Sequence, residues 1–155
     1  MLSRLKSAIE AMRQPTPEEA PLSAEPARLA CAALLARAAG LDGQLDQGED
    51  DAMLRLMVER FSMDEASARA VLDEAADDLD TSNDIYRYTK VLRESFDDAE
   101  RIDLMEMLWE VCYADGVLHA FEAQLMRRMA GLMFVDDRDS GAARKRSLVK
   151  LGLAG

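Results

Sequence analysis

Aromatic residues make up only 5% of this 155-residue chain, and it has just two cysteines and one histidine. With so few aromatics, and no window showing the Val/Ile/Thr/Tyr alternation of a strand, a β-rich fold is excluded. Two cysteines cannot supply the disulfide framework on which small secreted domains rely. Cys31 and Cys112 each fall inside an apolar helical run and read as buried free thiols in a reducing cytoplasm. A single histidine rules out a catalytic pair of histidines. Cations are also in the minority, 19 Lys and Arg against 30 Asp and Glu, for a formal net charge of −11. That argues against nucleic acid, whose phosphates need clustered Lys and Arg. No apolar run reaches membrane-spanning length, and the opening MLSRLKSAIEAMRQ lacks the continuous apolar stretch of a secretory signal. P-loop, Rossmann, nucleophile-elbow, CxxC and HExxH signatures are all missing, so nothing specific supports an enzyme.

Helix formers are plentiful: Ala, Leu and ten Met within a hydrophobic content of 49%. The class expected is all-α, a compact single domain of about seven or eight short helices. Residues 1–24 divide into an amphipathic helix and a linker. The helix carries Leu2, Leu5, Ile9 and Met12 opposite Arg4, Lys6 and Arg13, and either docks on its own domain or lies on a membrane surface. All four prolines fall between Pro15 and Pro26. Residues 25–135 form the main helical domain, and 136–155 finish as a short helix or a tail. Within the domain, helices are expected over Ala27–Ala39, Asp50–Phe61, Ser62 to about Leu79, Ile85–Phe96, Ala99–Ala114 and Phe121–Met133. Ser62 and Glu65 have capping-box spacing, which predicts Ser62 as the cap of the third helix. Met107 and Trp109 read as core, and the acidic run Asp73–Asp84 as a solvated helix end.

The chain also matches itself. LDGQLDQGEDDAM (41–53) lies over ADGVLHAFEAQLM (114–126) at a constant offset of 73 residues. Asp42 then meets Asp115, Gly43 meets Gly116, Leu45 meets Leu118, Asp46 meets His119 and Glu49 meets Glu122. Each copy reads helix, D-G-x-L-[DH]-x-x-E, helix, which predicts two pseudo-symmetric helix–turn–helix pairs. Gly43 and Gly116 suit a helix end that needs positive φ. Glu49 and Glu122 fall at the next helix start, where the macrodipole favours negative charge. Capping alone accounts for one such turn. Two aligned turns carry enough potential ligands to form a shared cation site.

Neither turn is a complete EF-hand. With glycine at position 6, positions 1 and 3 become Ala38 and Gly40, or Val111 and Tyr113, and none of these supplies a carboxylate. Each turn supplies half a site at most.

The twin D-G-x-L-x-x-x-E turns, and above all YADGVLHAFEAQLMRRMAGLM, resemble the tellurite-resistance protein B (TerB) family over roughly residues 25–135. The resemblance implies an all-helical domain with an acidic cluster at the two turns, proposed to bind metal. It also implies a role in tellurite and other chemical stress responses, often beside membrane-associated partners. Carried onto this chain, the cluster is Asp42, Asp46, Glu49, Asp115, His119 and Glu122. Hard oxygen ligands favour Ca²⁺, Mg²⁺ or Mn²⁺, and His119, standing where the first copy has Asp46, shifts the preference toward Mn²⁺ or Zn²⁺. No organic cofactor is expected. The protein is expected in the cytoplasm, free or peripheral at the inner membrane face, as a monomer or homodimer. The alternative is a non-enzymatic scaffold whose acidic surface docks a basic protein and whose turns hold no metal.

Overall fold

The computed structural model describes residues 25–39, 47–82 and 85–153. Among them are seven helices and no strand: α1 (Glu25–Ala39), α2 (Gln47–Phe61), α3 (Glu65–Ser82), α4 (Ile85–Ser95), α5 (Asp98–Cys112), α6 (Ala120–Leu132) and α7 (Asp137–Lys150). The all-α expectation holds. The amphipathic segment and proline-rich linker of residues 1–24 lie outside the described residues. No described helix is long and apolar enough to cross a membrane.

Helix α1 runs through the middle of the domain. Ala27, Ala30, Cys31, Ala32, Ala33, Leu34, Leu35 and Ala38 are all buried, so nearly every face is covered. Its alanines let α3, α4 and α5 approach closely. The second pillar is α5, where Leu104, Met105, Met107, Leu108, Val111 and Cys112 are buried, and α7, α2 and α6 pack around it. Met57, Met126, Met129 and Met133 fill the remaining core with unbranched side chains that adapt to irregular gaps.

Local signals set the helix ends. Asp97 and Glu100 form a reciprocal capping box at α5, each carboxylate accepting from the other's backbone N–H at 2.8 Å. Asp136 caps α7 by accepting from the Asp139 N–H at 2.9 Å. The cap of α3 is Asp64, which accepts from the Ser67 N–H at 2.7 Å, a bond that holds its carboxyl below the usual carboxylate range. The expected cap, Ser62, instead closes α2. Its φ is 53°, and the next residue's N–H, on Met63, reaches back to Val58 C=O at 3.2 Å. Phe134 (φ 59°) closes α6 in the same way, with the Val135 N–H donating to Ala130 C=O at 2.9 Å. Both are left-handed helix terminations of the kind usually given to glycine.

Of the two forms allowed for residues 136–155, the helix is realised, and it is packed rather than frayed. Ala143 and Ser147 of α7 are buried against the domain. Trp109 Nε1 donates to Ser140 Oγ at 3.3 Å, and Arg144 Nε donates to the Tyr113 hydroxyl at 2.7 Å.

Candidate metal centre

The second turn is fully described. Helix α5 ends at Tyr113, whose N–H bonds Trp109 C=O. The Gly116 N–H then bonds Tyr113 C=O at 2.8 Å, with Gly116 at φ 88°, the left-handed backbone expected of it. Asp115 accepts from the Val117 N–H at 3.0 Å, folding the loop over its own carboxylate. Leu118 is partly buried against the core and pins the turn. His119 is the N-cap of α6. Glu122, three residues on, accepts from the His119 N–H at 2.9 Å.

These ligand candidates differ sharply in burial. Glu122 and its counterpart Glu49, in the first turn of α2, are each only 5% exposed. Asp115 and His119 have side chains 40% and 50% exposed, and His119 Nε2 stands 3.4 Å from Asp115 Oδ2. Glu49, Glu122 and Asp115 share a neighbour in Cys112. Burial pushes the Cys112 thiol up, and the negative charges of Glu122, Glu49 and Asp115 push it further. The first turns of α2 and α6 thus each carry a buried carboxylate, Glu49 and Glu122.

This partial set does not itself make a metal site, because no three His, Cys, Asp or Glu side chains among the described residues are placed to hold an ion. Asp42 and Asp46, the remaining sequence candidates, lie outside the described residues, as does Gly43. The donor chemistry present, buried carboxylates with a partly exposed carboxylate and imidazole beside them, fits a divalent cation.

A second charged cluster escapes the repeat pattern altogether. Glu106 and Glu110, 8% and 1% exposed, point from α5 into a group of cations. Arg146 Nε donates to Glu106 at 2.7 Å and Lys150 Nζ to Glu110 at 2.8 Å, both from α7. From α2, Arg60 pairs with Asp103, Glu106 and Glu110, and Arg55 approaches Glu110 at 3.6 Å. Two cations of the basic RKRSLVK segment, Arg146 and Lys150, thus pair with α5 carboxylates from a partly exposed rim. The sequence signal for this cluster is two glutamates, four residues apart, embedded in the apolar run LMEMLWEVC.

Fold and turns together define a single all-helical domain with acidic residues gathered where two helices begin. The family model described as tellurite resistance protein TerB matches residues 28–145. The chain belongs to the TerB family. Neither a curated protein nor a solved structure matches it.

Proposed function

We propose that this TerB-family protein binds a divalent cation between its two acidic turns and acts, without catalysis, in a tellurite-resistance-related stress response in the cytoplasm. The observation that supports this is that Glu49 and Glu122, 73 positions apart, are both buried in the first turns of α2 and α6. Buried carboxylates brought close together would repel, and a cation held between them would offset that repulsion. Glu49 and Glu122 would be the inner ligands, Asp115 and His119 the outer ones, with Asp42 and Asp46 completing the set from the first turn. A bound ion would supply positive charge that ties the start of α2 to the start of α6. Binding to the folded state alone stabilises it by RT ln(1 + [L]/Kd), so ion and fold are linked. The surface ordered in this way would then engage a protein partner.

One observation favours the scaffold reading. Asp115 and Glu122 already serve the backbone as turn and cap acceptors, duties that need no ion. Calorimetric titration of chelator-stripped protein with Ca²⁺, Mg²⁺, Mn²⁺ and Zn²⁺ separates the two readings. Saturable binding near or below ~100 μM (about −5.5 kcal/mol), lost in Asp42→Asn/Asp115→Asn protein, supports the metal site. No saturable heat from any of the four ions overturns it and leaves the acidic scaffold.

A further inference from the structure

On the face of α5 that receives α7, a cleft of about 330 Å³ opens between α6 and α7. This is at the small end of the range for ligand cavities, ~300–1,000 Å³. Trp109 and Leu118 line it with apolar surface, and Gly141 leaves bare helix backbone on the α7 side. A Cβ added at Gly141 would meet nothing within 4 Å, so the space beside it is open.

Two guanidinium groups border the cleft, Arg127 from α6 and Arg144 from α7. Arg144 is held in place: its Nε donates to the Tyr113 hydroxyl, and its guanidinium lies 5.8 Å from the Trp109 ring centroid and 5.7 Å from that of Tyr113. Among the described residues neither arginine meets a carboxylate, whereas Arg60, Arg69, Arg87 and Arg146 each do. In a chain of net charge −11, these two arginines without acidic partners face the same cleft from neighbouring helices. Asp137 also borders the cleft, so its formal charge is one positive unit. That balance suits a single carboxylate rather than a phosphate dianion.

We propose that this cleft binds a monocarboxylate carried on a compact apolar or aromatic body. The body packs on Trp109 and Leu118, and the carboxylate takes charge-assisted hydrogen bonds from Arg127 and Arg144. The same chemistry is offered by a free organic acid and by the C-terminal residue of a peptide, and paired probes tell them apart. Trp109 is the only tryptophan, so its fluorescence in the full chain reads occupancy directly.

Titration with phenylacetate is expected to give a saturable change, and phenylacetamide to bind at least about tenfold more weakly. N-acetyl-Gly-Phe binding about tenfold more tightly than phenylacetate, with its C-terminal amide weak, assigns the cleft to a peptide C-terminus. The reverse order assigns it to a free acid. Arg127→Gln and Arg144→Gln, followed by calorimetry, should each weaken binding about tenfold, while Arg138→Gln on the same helix leaves it unchanged. Gly141→Leu should block binding with the melting temperature at or above that of the parent, since leucine is the better helix former. Flat titrations with both carboxylates, equal affinity for acid and amide, or full binding by the Gly141→Leu protein would each overturn the proposal.

Discussion

Removing one carboxylate should show how strongly the buried ion cluster ties α7 and α2 to α5. Glu110 is the centre of that cluster, 1% exposed, with Lys150 Nζ at 2.8 Å, Arg60 at 3.4 Å and Arg55 at 3.6 Å. Deleting one member of a buried pair typically costs about 3–5 kcal/mol, because the partner charge is stranded. Here the stranding is incomplete. Arg60 keeps Asp103 and Glu106, and Lys150 and Arg55, with side chains 40% and 41% exposed, can rehydrate. Glu110→Ala is therefore expected near the low end, about 3 kcal/mol. For a domain of this size that is a fall in Tm of roughly 6–12 °C. Lys150→Met removes a cation from the partly exposed rim and should cost about 1 kcal/mol or less. Circular-dichroism melts of both variants at matched salt provide the test. A Glu110→Ala protein within ~1 kcal/mol of the parent, or a Lys150→Met protein equally damaged, would refute this ordering of buried centre over rim.

Three further outcomes are expected. Ser62→Gly should raise stability by up to about 1 kcal/mol in urea unfolding, because φ 53° is strained for serine and ordinary for glycine; a loss would contradict the termination assigned to α2. Burial pushes the Tyr88 hydroxyl up to about 12, helped by its hydrogen bond to Asp78, so its contribution is whole below the ordinary tyrosine pKa near 10 and is lost as pH rises through about 12. Alkaline melts of Tyr88→Phe protein should lose that pH dependence, and an unchanged profile would contradict the assignment. Cys31 and Cys112 are both buried, with thiols pushed up first by burial, so a thiol reagent should label neither in native protein and both in denaturant; rapid native labelling would contradict their placement.

The fold was largely legible because helix signals are local. Alanine, leucine and methionine at helical spacing, with Gly116 at a turn, suffice to mark α5, the turn and α6. The offset of 73 residues pairs Glu49 with Glu122, and both side chains are buried in the first turn of a helix. What escaped the sequence depends on competition between signals or on distant partners. Ser62 satisfies the capping-box pattern, yet Asp64 lies closer to the start of α3 and takes the capping role, leaving Ser62 to end α2. Residues 136–155 read equally as a short helix or a tail, and what packs the helix, Arg146 and Lys150 reaching Glu106 and Glu110, lies 40 positions away in sequence. An ion pair at that separation has no periodicity to announce it. Arg144 is similar, because its value lies in Trp109 and Tyr113 on another helix.

The most direct test of the metal account uses a variant that keeps the helix caps and removes only charge. Glutamine at position 122 can still accept from the His119 N–H, so Glu49→Gln/Glu122→Gln protein should fold with the start of α6 intact. Loss of the free Mn²⁺ resonance signal on titration into chelator-stripped protein measures ion uptake. Saturable uptake by the parent that disappears in the folded double variant is the predicted result. Equal uptake by both proteins, or none by the parent with any of the four cations competing, would contradict the claim that the buried glutamates hold the ion.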